Sequence, residues 1–171
     1  MTEEVDFLIQ RIRDEYGAGS LPAGYGAAGE EPPLELIDRA DVENEDDVRK
    51  RKGELTSHNI VSIASVDEST APIGTEYDHD IEHVAGVRVE GVHHSKYGFI
   101  DEDGAEGAPW SSLVRLIRRA ILRARTYPET GRPNVSYTEL ELANTADQSD
   151  DWADYYRWDT DVLFDGFERL P

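Results

Sequence analysis

Apolar positions recur at helical spacing at the start of the chain, where Val5, Leu8, Ile9, Ile12 and Tyr16 form one stripe. Glu3 and Glu4 fall in the first turn, where the helix dipole favours anions, and Gly17 offers a stop. The pattern then lapses. GAGSLPAGYGAAGEEPP is too small-sided to pack a core, and DVENEDDVRKRKGEL is a charged loop or hairpin. Residues 17–57 are therefore read as a variable arm or insertion of a single domain spanning 1–171.

From His58 onward the period changes to two. NIVSIASV is a short β-branched run expected as a strand buried on both faces. In IEHVAGVRVEGVH, Ile81, His83, Ala85, Val87 and Val89 alternate against Glu82, Gly86, Arg88 and Glu90, which predicts a half-buried strand. GFIDEDGAEGAPW reads as a turn-rich loop. PWSSLVRLIRRAILRARTYP then carries the strongest helical stripe, Leu113, Leu116, Ile117, Ala120, Ile121 and Ala124, with Pro109 suited to its first turn and Pro128 barring continuation. Two more alternating runs follow. One places Thr138, Leu140 and Leu142 together; the other groups Tyr156, Trp158, Thr160, Val162 and Phe164. Strands grouped on either side of one long helix predict an α+β fold, a mostly antiparallel sheet with both helices on one face.

Charge changes the picture. There are 37 acidic and 17 basic residues, a formal charge of -20, and the only lysines are Lys50, Lys52 and Lys96. Self-repulsion on that scale opposes a compact state in dilute buffer. In molar salt the Debye length falls to about 3 Å and the repulsion is screened. An acidic, lysine-poor chain therefore reads as adapted to a salt-rich cytoplasm. Three tryptophans and eight tyrosines argue against disorder. There is no cysteine, hence no disulfide or thiolate chemistry. No apolar run reaches the ~18 residues of a membrane span, and the acidic balance disfavours free nucleic acid as main partner.

His79 and His83 stand four apart, the spacing at which helical histidines share a metal. On the strand that their surroundings predict, they lie ~13 Å apart along the chain, too far for one ion. No metal, cofactor or catalytic residue is expected. DEDGAEG has its glycine at the wrong place for a calcium loop, and phosphate-loop, nucleophile-elbow and dinucleotide motifs are absent. Asp78, Asp80 and Glu82 are one chance grouping among many carboxylates.

Two features suggest contacts with other subunits. The long helix carries Arg115, Arg118, Arg119, Arg123 and Arg125 with no acid between Trp110 and Tyr127. These guanidiniums either form a solvated face balanced by nearby carboxylates or meet acidic patches or DNA phosphates. Trp152 lies in the acidic loop DDWAD with no stripe to hold it, as interface aromatics do. His79 and His83 join these residues as interface candidates.

The opening helix VDFLIQRIRDEY, the strands around YDHDIEHVAGVRVEGVH, the helix PWSSLVRLIRRAILRARTYP and the closing strand DYYRWDTDVLFDGFE resemble, in type and order, the tail terminator (tail-completion) proteins of tailed viruses, here in a form suited to a haloarchaeal host. The resemblance implies a structural virion protein, assembled in the host cytoplasm at high salt. It implies a ring of copies, usually six, that stops tail-tube growth and joins the tail to the neck. Its partners would be itself, the tail tube protein and a neck or connector protein, with DNA passing the lumen unbound and no membrane. Three alternatives remain: another head-tail connector, neck or minor tail protein; a small halophilic enzyme using Asp78, His79, Asp80 and His83 on a metal; or a host regulatory or adaptor domain binding one protein partner.

Overall fold

The computed structural model describes residues 3–17, 34–38, 59–92, 99–100, 108–147 and 155–170. Helix α1 spans Glu3–Gly17 and helix α2 Trp110–Arg123. The strands are β1 (Leu34–Asp38), β2 (Asn59–Ile73), β3 (Thr75–Val92), β4 (Phe99–Ile100), β5 (Ala108–Pro109), β6 (Val135–Asp147) and β7 (Tyr155–Arg169). The main sheet has the order β1-β2-β3-β7-β6, antiparallel except for β1, which runs parallel to β2. The short strands β4 and β5 form a separate parallel pair.

The fold is α+β, as the alternation of periods predicts, but β2 runs on to Ile73, beyond the short run expected, and β4 and β5 lie in the stretch read as a turn-rich loop. Helix α2 stops at Arg123, four residues short of Tyr127, and the chain between them turns to bridge the sheet at Thr126 and Glu139. Strand β1 lies within 17–57, a segment the hydropathy pattern treats as an arm; LELID is too short to stand out beside its Gly/Pro-rich and charged neighbours.

One core forms where both helices cover one face of the sheet. Val5, Leu8, Ile9 and Ile12 of α1 meet Leu113, Leu116, Ile117, Ala120 and Ile121 of α2 over Val61, Ile63, Val87, Val89, Trp158, Val162 and Phe164. The sheet supplies this core in cross-strand rows: Val61–Val89–Trp158, then Ile63–Val87–Thr160, then Ser65–Ala85–Val162. In the next row the aliphatics give way to Glu68–His83–Phe164.

Two bulges determine who joins that row. A register shift between Ser65 and Asp67 moves the alternation of β2 by one, so Glu68 rather than Asp67 lies opposite His83. A second shift, between Tyr137 and Glu139, turns Tyr137 into the core, while Thr138, expected beside Leu140 and Leu142, is only half-buried. Gly166 faces this bulge so closely that a Cβ there would sit 2.2 Å from the Ser136 carbonyl oxygen and 2.6 Å from Tyr137 Cα.

Candidate functional site

Five side chains from separate elements converge at the polar row. They are Glu4 of α1, Glu68 of β2, His83 of β3, Arg132 of the α2–β6 connection and Tyr137 of β6. Glu4 Oε1 accepts hydrogen bonds from the Tyr137 hydroxyl at 2.5 Å and from Arg132 Nη1 at 3.0 Å. Arg132 also forks onto Glu68, Nη1 to Oε1 and Nη2 to Oε2, the second at 3.2 Å. His83 Nδ1 lies 2.9 Å from Glu68 Oε1, and its Nε2 lies 3.1 Å from Ser65 Oγ. The edge of the His83 ring meets Phe164. Side-chain exposure rises outward, from 1% at Glu4 and 6% at His83 to 21% at Arg132 and 36% at Glu68. An open cleft of about 450 Å³, lined also by Glu3, Val66 and Asp67, gives solvent access to the group.

The electrostatics follow from these contacts. Burial pushes the Glu4 carboxyl upward, but the Tyr137 and Arg132 hydrogen bonds outweigh it, and the group stays below the usual carboxylate range. The Arg132 fork holds Glu68 down at about 2 against its burial, with His83 assisting. Arg132 is held more firmly protonated by the Glu68 and Glu4 bonds. Burial, then donation to Glu4, raises the Tyr137 phenol. The cluster is thus a partly buried ion network that ties the first turn of α1 to three strands.

Of the residues singled out in the sequence, His83 alone belongs here. It is 4% exposed and engaged inside its own subunit, while His79, on the same face of β3, is half-buried nearer the hairpin. The histidine pair thus sits on a strand, where the two rings do not converge. Arg119 Nε and Arg123 Nη1 each donate at 2.8 Å to Glu15 of α1, so this half of the arginine face clamps the two helices together. Arg115 and Arg118 are exposed on the same helix. Trp152 lies outside the described residues. Glu4, Glu68, Arg132 and Tyr137 carry no motif: Glu4 reads as a dipole-favoured first-turn acid, and the others reach the site only through bulges and a loop.

A second feature is the far end of the sheet. Strand β1 pairs with β2 only over Asn59–Ile63. From Ser65 to Ile73 every residue of β2 is exposed, on both faces, and among the described residues no strand covers this edge. Gly74 turns the hairpin at φ +71°. Val66 (61%), Ile73 (37%), Phe167 (52%) and Leu170 (40%) are large apolar side chains left in solvent at this end. Asp67, Asp80 and Glu82 stand among them, also exposed. No protein-family model matches the chain, and no curated protein matches it either.

Proposed function

We propose that the chain is a structural subunit that closes into a ring, most simply the six-membered tail terminator of a haloarchaeal tailed virus. One observation carries the ring reading: among the described residues no strand pairs with the outer half of β2, where Ser65 to Ile73 are all exposed, the apolar Val66 and Ile73 included. On its β2 side the hairpin gains little from burial, although His83 and Ile81 of β3, opposite Glu68 and Thr70, are buried. The bulge at Ser65/Asp67 and Pro72 discourage open-ended strand addition, so a neighbour is met through side chains. The second surface of a head-to-tail contact is α2, where Arg115 and Arg118 offer positive charge to the hairpin's Asp67 and Asp80. Two different surfaces on one chain, complementary in charge, give heterologous contacts, which form a ring where the rotation between neighbours closes. Molar salt weakens these ion pairs, which leaves Ile73, Val66 and Phe167 to hold the joint. In this reading one rim of the ring caps the tail tube and the other receives a neck protein, while the lumen passes DNA without reading it.

Light scattering in molar potassium chloride tests this, with and without tail-tube ends. The expected mass is six times the 19.2 kDa of one chain, free or on the tube. Ile73→Asp with Phe167→Asp, and separately Arg115→Glu with Arg118→Glu, should return monomers of unchanged circular dichroism. A chain that stays monomeric under both conditions overturns the ring. A ring that binds no tube end retains assembly but removes the terminator role in favour of another connector.

A further inference from the structure

Glu4 Oε2 is the one buried side-chain polar atom without a hydrogen-bond partner among the described residues. The other oxygen accepts from Tyr137 and Arg132 and so fixes the carboxylate in place, which makes an unsatisfied buried Oε2 costly. His83 Nε2 lies 3.8 Å from it. That is too long for a hydrogen bond. It nearly suits two ligands of one ion: with metal–ligand distances of about 2.0–2.2 Å and a tetrahedral angle, the ligand atoms stand about 3.4 Å apart.

The imidazole is already set for this. Glu68 can only accept, so the 2.9 Å contact places the proton of a neutral ring on Nδ1 and the lone pair on Nε2. There the Ser65 hydroxyl donates to it at 3.1 Å; an ion between Nε2 and Glu4 Oε2 would take the place of that hydroxyl. A carboxylate behind the other ring nitrogen is the usual support of a metal-bound histidine. The charges agree as well. Glu4 and Glu68 carry two negative charges against the single positive charge of Arg132, and Arg132 engages Oε1 of Glu4, not Oε2. Glu4, Glu68 and His83 each bring a donor atom to within 4.8 Å of the others, beside the solvent-accessible cleft.

We infer that Glu4 Oε2 and His83 Nε2 form a binding site for one divalent transition-metal ion of the zinc class, with Glu68 positioning the imidazole. The nitrogen ligand and the small number of oxygens favour zinc over calcium or magnesium. Water entering by the cleft completes the coordination. The ion would fasten the first turn of α1 to β3, a role independent of ring formation.

The test uses the full chain, stripped with chelator and titrated with zinc chloride in molar potassium chloride, followed by calorimetry and zinc X-ray absorption on the 1:1 complex. One equivalent should bind, with an imidazole nitrogen in the zinc shell. His83→Gln and Glu4→Gln should each weaken binding at least tenfold and remove or alter that shell, whereas His79→Gln and Glu82→Gln leave both unchanged. Less than half an equivalent bound by the wild-type chain overturns the proposal. So does a shell of oxygen alone, the signature of zinc scattered over surface carboxylates. The last two readouts need no variant, so they decide even if the substitutions at Glu4 and His83 prevent folding. Zinc affinity that survives both substitutions in folded protein overturns it equally.

Discussion

The Tyr137 hydroxyl donates a 2.5 Å hydrogen bond to Glu4 Oε1, joining residues 133 positions apart and fastening the first turn of α1 to edge strand β6. A carboxylate in a helix's first turn gains from the dipole, but that alone does not bring it to 0% exposure. Burial becomes tolerable because two donors, one of them cationic, meet the same oxygen. The bond therefore does more than satisfy a phenol: it fixes where α1 begins relative to the sheet.

Tyr137→Phe should test this contact with little disturbance of packing, since the ring, 5.2 Å from that of Phe164 between centroids, is retained. Loss of a hydrogen bond to a charged, buried acceptor costs about 1.5–3 kcal/mol. Urea unfolding in molar potassium chloride should show a lower midpoint with an unchanged slope. An unchanged midpoint would mean that Arg132 alone stabilises Glu4.

The elements were legible where period and burial agree. Leu8, Ile12, Leu116, Ile117, Val87 and Val162 fall in the core as their spacing requires. The partly buried network was not legible, for a physical reason. A bulge shifts the two-residue period by one, so the same strand presents Ser65 and then Glu68 to one face. Strict alternation instead assigns Asp67 inward, and it assigns Thr138 where Tyr137 goes. Arg132 comes from a loop, which has no period to read. Glycine is the partial signal: Gly166, in a strand otherwise rich in large side chains, marks a close approach of backbone.

Gly166→Ala should accordingly be severe. The new methyl would overlap Ser136 and Tyr137 backbone atoms, which have no rotamer through which to move away. Either β6 separates from β7 or the bulge is lost and Tyr137 leaves Glu4. We expect poor folding, or a melting temperature lower by more than that of Tyr137→Phe, with loss of amide protection along β6 in hydrogen exchange. A mild effect would show that the β6 edge repacks freely.

Acid should weaken the same network. Glu68 is held at about 2, below its ordinary 4.5, chiefly by Arg132. A depressed carboxyl stabilises the fold at pH values above its unfolded pKa. That contribution fades as pH falls from about 5 towards about 2. The slope is shallow because Glu68 is partly in solvent, where screening reduces the interaction. The difference in urea midpoint between wild type and Glu68→Gln should be largest near neutral pH and shrink steadily below about pH 4. A difference constant across that range would assign the effect of the substitution to packing, not charge.

The outer face of the sheet should respond to salt in the opposite sense. Glu82 lies directly across from Asp165, a like-charged pair, with Asp67 and Glu141 on the flanking strands. The slight desolvation of this exposed side chain and then the neighbouring carboxylates, Asp165 foremost, raise the Glu82 pKa. A raised carboxyl favours the fold at low pH, and this advantage is lost as pH rises through its folded value, so at neutrality the row is a cost. Like charges opposite one another destabilise a strand pair, and a Debye length of about 10 Å at 0.1 M salt reaches across adjacent strands. At 1 M it is about 3 Å and does not. Glu82→Gln should therefore raise the melting temperature in 0.1 M potassium chloride, with most of the gain gone at 1 M and above. An equal gain at both salt concentrations would attribute the raised Glu82 pKa to desolvation and remove this row from the causes of any salt requirement.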